Sequence, residues 1–230
     1  MSLVRKNGKE VKIMKKKLLY ILIPFMTLLL SSNVYGAKHS DAEDRLYTTG
    51  IIFDQASVDE IMAYIYRDDN NKIDFISDAS GLSKEDSKFL LEECESKELD
   101  VFLVLGLMKL ESRFDTRAVG SLGERGLGQL MENTARPIAE NLDLEYEPDM
   151  LFIPRYNIKL FTTQLKYLNK IFDNDVHKVL TAYNRGAYGL KKYMASRSTR
   201  QNPAISSYSN RVLEFRNEFY NDFQSKQHTY

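Results

Sequence analysis

Cysteine is almost absent from this 230-residue chain, which contains only Cys94. A single cysteine excludes an internal disulfide framework, so packing must stabilise the fold, and a chain of this size can bury one compact core. Cys94 follows Leu90 and Leu91 at helical spacing on an apolar face. This position favours a buried, unreactive thiol over a nucleophile.

Several kinds of functional motif are also missing. The three histidines, His39, His177 and His228, are isolated and lack the spacing of metal ligands. The chain has no Gly-Lys-Ser/Thr phosphate loop, no Gly-x-Ser-x-Gly elbow and no internal repeat. We therefore expect neither a metal ion nor a cofactor.

Long apolar runs are scarce, and the one near the N-terminus resembles a secretion signal. Three lysines precede the thirteen apolar residues 18–30, which are fewer than the ~20 that a membrane span needs. Val34 and Gly36 are small enough for the −3 and −1 positions of a cleavage site. We predict a signal peptide over residues 1–36, with residues 1–13 an upstream extension if Met14 is the start. Retention as a membrane anchor is the alternative.

Excess charge is absent from the full chain but not from the predicted mature protein. Removal of residues 1–36 leaves 25 basic and 31 acidic side chains. A net charge near −6 argues against a nucleic-acid-binding protein, which usually has a basic domain. We therefore expect no nucleic-acid partner. The predicted signal peptide indicates an exported protein, periplasmic or outside the cell.

Strand-like alternation is nearly absent, so the sequence predicts an all-α, or α-dominated, fold. In an accessory segment over residues 37–81 we expect one short helix at 57–66, followed by a turn-prone stretch at 67–71. Ser83 and Asp100 are placed to cap the next two helices. The further predicted helices span residues 84–97, 101–112, 131–141, 157–172, 177–183 and 205–223.

Glu111 closes the almost wholly apolar run of residues 101–110 and precedes four glycines within residues 120–128. A carboxyl group at the end of a buried helix has a raised pKa, because burial disfavours its charged form. Such a group can act as a general acid near neutral pH. The alternative is a glutamate that ends a helix and points into water.

Several short blocks follow one another in a specific order. They are Glu111-Ser112-x-Phe114, Gly126-Leu127-x-Gln129-Leu130-Met131, Thr134-Ala135, Asn157 with Tyr167-Leu168, Ala182-Tyr183-Asn184-x-Gly186 and Tyr208-x-x-x-Val212. Their order and spacing resemble the soluble lytic transglycosylase family of peptidoglycan-cleaving enzymes, which has a goose-type lysozyme-like fold. The resemblance implies a catalytic domain over residues 82–222 and a short tail over 223–230.

Four positions depart from the pattern of that family. The family commonly has Pro at the positions of Thr116 and Glu132, a small residue at Glu124 and Met or a similar side chain at Gly128. Proline presets φ, so the first two changes reduce local rigidity. Glu124 and Gly128 are expected near the sugar-binding groove, where they affect substrate preference more than reaction type.

The resemblance implies cleavage of the β-1,4 bond between N-acetylmuramic acid and N-acetylglucosamine, with Glu111 as the single acid and base. The C6 hydroxyl of the substrate is then the nucleophile, and a 1,6-anhydromuramic end is formed. A hydrolytic muramidase is the alternative, with Asp115, Glu124 or Glu132 as its second carboxylate. A further alternative is a wall-binding or space-making component of a secretion or conjugation apparatus. We expect a monomer that binds glycan strands.

The resemblance also implies a group of substrate-binding residues around Glu111, namely Ser112, Gln129, Tyr183, Asn184 and Tyr208. Ser112 and Asn184 can instead bond to backbone, and Tyr208 can lie in the core or on the surface. Residues 176–213 contain seven Lys/Arg and no acidic residue. This stretch is either a groove wall that meets stem-peptide carboxylates or an ordinary solvated surface.

Overall fold

The structure is a computed structural model that describes residues 55–227, with side chains from residue 59 onward. The chain divides into two units at residue 60, and residues 61–230 contain nearly all the described residues. The predicted signal peptide and most of the accessory segment lie outside the described residues. In the described part, no helix combines the length and apolar character needed to span a membrane.

Helices form this part of the chain, which confirms the predicted all-α fold. They are α1 (Gln55–Ser80), α2 (Lys84–Ser96), α3 (Val101–Glu111), α4 (Glu132–Asn141), a 3-10 helix (Pro148–Phe152), α5 (Pro154–Ile171), α6 (Val176–Ala195) and α7 (Ser207–Gln227). Between residues 55 and 227 the extended pairing consists of two isolated bridges, both in the glycine-rich turn.

The first described helix differs from the prediction. Helix α1 continues without a break through residues 67–71, where a turn was expected. Lys72 forms an ion pair with Asp68 one helical turn earlier, at 2.8 Å, and Phe75 and Ile76 are buried in the core. This packing outweighs the weak helix propensity of the Asp and Asn residues in the stretch. The domain boundary at residue 82 stays a prediction.

Helix α2 confirms two local predictions. The Ser83 side chain accepts a hydrogen bond from the Asp86 N–H at 3.0 Å, as an N-cap does. Cys94 is buried, with 1% of its surface exposed, and burial raises the pKa of its thiol far above the ordinary value. The thiol is therefore not ionised near neutral pH, as expected for an unreactive cysteine.

Helix α3 lies in the centre of the core, and side chains fix its N-terminal end. Asp100 caps its first turn, because Oδ1 accepts from the Phe102 N–H at 2.9 Å. The other oxygen of Asp100 accepts from Nε and Nη2 of Arg216 at 2.9 and 2.8 Å. This ion pair joins the start of α3 to α7. The apolar length of α3 then carries Glu111 to the edge of the core.

Gly106 sets the distance between α3 and α7. A Cβ atom at this position would lie 2.6 Å from the Val212 carbonyl oxygen and 2.9 Å from the Arg216 nitrogen. Both are backbone atoms of α7, so neither can rotate away. Only a glycine permits this close approach, which brings the first turn of α7 beside the last turn of α3.

Helix α6 changes direction at Gly186, which has φ 71° and ψ 161°. The prediction of a helix that ends with turn chemistry at residues 184–186 is therefore confirmed at this position. A second helical segment, not predicted, continues from there to Ala195. A left-handed φ favours glycine, because a Cβ atom would be strained there.

Candidate active site

Glu111 is partly buried at the C-terminal end of α3. The hydroxyl of Tyr208 in α7 donates a hydrogen bond to its Oε1 atom. Burial raises the pKa of Glu111 to about 7, the Tyr208 hydrogen bond opposes this, and the nearby charge of Glu124 adds to it. A carboxyl group with this pKa is present in both protonation states near neutral pH. It can therefore donate a proton and later accept one.

Two tyrosines lie beside this carboxyl group. Burial raises the pKa of Tyr183 and of Tyr208 well above the ordinary value, and the charge of Glu111 raises both further. Both phenols therefore stay neutral and keep their protons as hydrogen-bond donors. Tyr183 donates to the Gly128 carbonyl oxygen at 2.7 Å, whereas Tyr208 donates to Glu111. The structure thus brings both predicted tyrosines to the catalytic candidate.

The glycine-rich turn after Glu111 is held by its own backbone. The Gly120 N–H donates to the Glu124 carbonyl at 2.8 Å, and the Gly126 N–H donates to the Ala118 carbonyl at 2.9 Å. Gly126 has φ 71°, and a Cβ atom there would collide with the Leu151 carbonyl oxygen. This position therefore requires glycine both for its conformation and for space.

Asn157, near the start of α5, also holds the glycine-rich turn in place. Its side chain is fully buried and accepts from the Gly128 N–H at 2.8 Å. Its amide group donates to the carbonyl oxygens of Arg125 at 3.0 Å and Leu151 at 2.8 Å. One buried amide thus satisfies three backbone groups, which would be costly to bury without partners.

The structure gives a steric reason for the glycine at position 128. A Cβ atom there would lie 2.6 Å from Cγ and Cδ1 of Phe161. Phe161 is fully buried on α5, so its ring occupies the space that a larger side chain would need. The sequence predicts Phe161 on the core face of its helix, but the apolar pattern does not distinguish it from other core residues, so its contact with position 128 could not be predicted.

Ser112 and Gln129 bond to backbone rather than projecting freely. The Ser112 hydroxyl is buried and lies 2.9 Å from the Leu127 carbonyl oxygen. Nε2 of Gln129 donates to the carbonyls of Gly126 at 2.9 Å and Ala118 at 3.1 Å. These contacts shape the turn around Glu111. Direct binding of substrate by either residue stays a prediction.

Asn184 lies next to Tyr183 but points outward and is exposed. It is the last residue but one before the change in direction at Gly186. Exposure places Asn184 at the surface, whereas Tyr183 is partly buried against the core. Its role in binding an N-acetyl group remains a prediction.

The three candidate second carboxylates occupy different surroundings. Asp115 is exposed and accepts from the Arg117 N–H at 2.8 Å, and Glu132 is exposed and pairs with Arg136 at 2.6 Å. Glu124 is partly buried, accepts from the Leu122 N–H at 2.9 Å, and contributes to the raised pKa of Glu111. Among these three, Glu124 is therefore the one placed to interact with Glu111.

This chain is similar to several lytic transglycosylases. A protein of Haemophilus influenzae, provisionally named a soluble lytic murein transglycosylase, is 36% identical over 95 residues, which cover 41% of this chain and 16% of that protein. The structure of the 70 kDa soluble lytic transglycosylase of Escherichia coli matches with a TM-score of 0.53 and 22% identity. That match covers 59% of this chain and 24% of the Escherichia coli chain.

An inactive mutant of the lytic transglycosylase Slt from Pseudomonas aeruginosa matches with a TM-score of 0.51 and 20% identity, over 75% of this chain and 31% of that one. The chain thus spans less than a third of the length of these relatives. The structural matches confirm the expected all-α, lysozyme-like fold. The model of the transglycosylase SLT domain matches residues 89–206, more than half of the 230 residues. The chain therefore belongs to the transglycosylase SLT domain family.

Proposed function

We propose that this protein is a peptidoglycan lytic transglycosylase in which Glu111 is the acid and base. The observation that supports the proposal most directly is the Glu111 carboxyl group, partly buried beside Tyr208 with a pKa raised to about 7. An exposed glutamate would be almost fully ionised at neutral pH and a poor proton donor. Membership of the transglycosylase family gives the reaction class.

In the proposed first step, protonated Glu111 donates its proton to the oxygen that links N-acetylmuramic acid to N-acetylglucosamine. The C1–O bond breaks, and positive charge develops at C1 of the muramic residue. In the second step the Glu111 carboxylate takes the proton of the C6 hydroxyl, whose oxygen bonds to C1. The product is a 1,6-anhydromuramic end, and Glu111 is protonated again. Since the substrate supplies the nucleophile, one carboxyl group is sufficient.

Hydrolysis by a muramidase is the competing reaction, and it would need a second carboxylate to activate water or to act as a nucleophile. Glu124 is the candidate for this role, because its charge acts on Glu111. The side chain of Glu124 already accepts a hydrogen bond from the Leu122 N–H. That contact favours a role in holding the turn rather than in activating water.

Digestion of purified peptidoglycan in water enriched in heavy oxygen tests the proposal. We expect mass spectrometry to find anhydro ends without the label, because water does not enter the product. Glu111→Gln serves as the control and should release no fragments. Labelled muramic ends would overturn the proposal and support the muramidase.

The proposed substrate requires a location outside the cytoplasmic membrane. We propose that the protein is exported and that the signal is cleaved after Gly36, which gives a periplasmic or cell-wall enzyme that acts as a monomer on glycan strands. Service to a secretion or conjugation apparatus, by opening space in the wall, is compatible with the same activity. The N-terminal sequence of the protein recovered from the cell envelope tests the cleavage site.

A further inference from the structure

A cluster of positive side chains follows the active-site tyrosine on α6. Within the described stretch 185–200, five cations form no ion pair with any described acidic side chain: Arg185, Lys191, Lys192, Arg197 and Arg200. The other two cations in residues 176–213 are paired, Lys178 with Asp175 and Arg211 with Glu214. The five unpaired cations form a local excess of positive charge on a predicted mature chain whose net charge is near −6.

Tyrosine rings hold several of these cations in place. The Arg197 guanidinium lies 3.7 Å from the centre of the Tyr193 ring, and that of Arg185 lies 4.7 Å from it. Lys192 lies 4.6 Å from the Tyr188 ring. The Tyr193 hydroxyl donates to the Ile205 carbonyl at 3.0 Å, so this ring is fixed. Stacked cations lose less side-chain entropy when they bind an anion.

We propose that these residues bind the carboxylates of peptidoglycan stem peptides while the glycan strand lies at Glu111. The residues are Arg185, Tyr188, Lys191, Lys192, Tyr193, Arg197 and Arg200, called here the basic surface. This inference rests on the proposed peptidoglycan substrate. The sequence alone leaves two interpretations of residues 176–213, a groove wall that meets stem-peptide carboxylates or an ordinary solvated surface. The proposal favours the groove wall.

The position of the basic surface supports the proposal. Arg185 comes two residues after Tyr183, whose buried phenol lies close enough to Glu111 for the carboxylate charge to raise its pKa. Helix α6 changes direction at Gly186, and Tyr188, 71% exposed, follows two residues later. Tyr188, Lys191 and Lys192 share one helical face, because they are three and four residues apart. The basic surface thus begins two residues after Tyr183, which lies beside the proposed site of glycan cleavage.

Two other polyanions fit the surface less well. A membrane-binding helix presents a broad apolar face, but in residues 185–200 Tyr188 is the only large hydrophobic side chain that is exposed. A nucleic acid would be repelled by the excess of acidic residues elsewhere on the predicted mature chain. Stem peptides carry discrete carboxylates, which a small cluster of cations can match.

The test uses the Glu111→Gln protein, which binds without cleaving. Its triple variant Lys191→Gln, Lys192→Gln, Arg200→Gln removes three exposed charges of the basic surface. The matched control removes three exposed charges on α2 and α5, as Lys88→Gln, Lys166→Gln, Lys170→Gln. Binding to purified peptidoglycan is measured by cosedimentation at several salt concentrations. The peptidoglycan is either native or has its carboxyl groups amidated.

We expect the triple variant to bind native peptidoglycan roughly 3- to 150-fold more weakly, from about 0.2–1 kcal/mol for each exposed pair. The loss should shrink at high salt and disappear on amidated peptidoglycan. The control should bind native material as the parent does. Equal binding by the triple variant, an equal loss in the control, or a loss that persists on amidated peptidoglycan would overturn the proposal.

Vesicles that contain phosphatidylglycerol provide a further arm. If the substitutions weaken binding to vesicles but not to peptidoglycan, the partner is a membrane and the proposal fails. If the triple variant is misfolded by circular dichroism, the double variant Lys191→Gln, Arg200→Gln replaces it. No cleavage is needed, so failure of the proposed lytic reaction and failure of this binding site are separate results.

Discussion

Tyr208 donates a hydrogen bond to Glu111 from a helix 97 residues further along the chain. The bond favours the charged form of the carboxyl group, whereas burial favours the neutral form, and burial is the larger effect. The balance gives Glu111 a pKa of about 7. Each contribution can be removed separately, and this makes the site testable.

Replacement of Tyr208 by Phe should raise the pKa of Glu111 further, because the hydrogen bond that stabilises the carboxylate is lost. The acid form is needed for the first step, so the fall in activity at high pH should move to higher pH. We also expect a roughly 3- to 10-fold loss of kcat/KM from poorer positioning, equivalent to ~1 kcal/mol. The pH profile of kcat/KM on soluble glycan fragments measures both effects. Tyr183→Phe is the control: its hydroxyl bonds to Gly128, so the profile should stay in place.

Glu124→Gln should have the opposite effect on the pH profile. The charge of Glu124 raises the pKa of Glu111, and its removal lowers that pKa. We expect the fall in activity to move to lower pH while substantial activity remains at acidic pH. Glu132→Gln, at an exposed residue paired with Arg136, should leave the profile unchanged. Complete loss of activity in Glu124→Gln at every pH would instead favour a second catalytic carboxylate.

Glu111→Gln should stabilise the fold at alkaline pH. The folded protein holds the Glu111 proton up to about pH 7, whereas the unfolded chain releases it near the ordinary value of 4.5. The stability contributed by the protonated form is therefore fully present below pH 4.5 and is lost as the pH rises to 7. Glutamine does not titrate.

The free energy of unfolding of wild type relative to Glu111→Gln should therefore fall between pH 4.5 and pH 7, by up to about 3 kcal/mol, and stay level above pH 7. Urea unfolding of both proteins at pH 4.5, 6 and 8 measures the difference between their free energies of unfolding. All other titrating groups are the same in both proteins, so their contributions cancel in this difference. A difference that is independent of pH would show that the pKa of Glu111 is not raised.

Gly106→Ala should separate the two helices that form the site. The added methyl group would meet backbone atoms of Val212 and Arg216, so α7 must move away from α3. We expect a destabilisation of about 1–3 kcal/mol, as for other overpacked cores. The displacement should also weaken the Tyr208 hydrogen bond, so the pH profile should move in the same direction as in Tyr208→Phe. Unchanged stability and an unchanged profile would contradict the tight packing of these helices.

The local features of this fold could be predicted from the sequence. Ser83 and Asp100 cap their helices as expected, because a cap is a contact between residues two or three positions apart. Glu111 was identified by its place at the end of an apolar run, and the turn near Gly186 by its local residues. The order of the motifs gave the family.

The tertiary structure decided what joins distant parts of the chain. Only the packing of α3 against α7, at the distance that Gly106 permits, brings Tyr208 to Glu111. Phe161 excludes a side chain at position 128 from another helix, and core packing at Phe75 and Ile76 extends α1 through residues that favour a turn. The sequence by itself determined which residue is the candidate acid. Its pKa depends on burial and on neighbours that are adjacent only in space, so the fold alone determines whether that acid holds its proton near neutral pH.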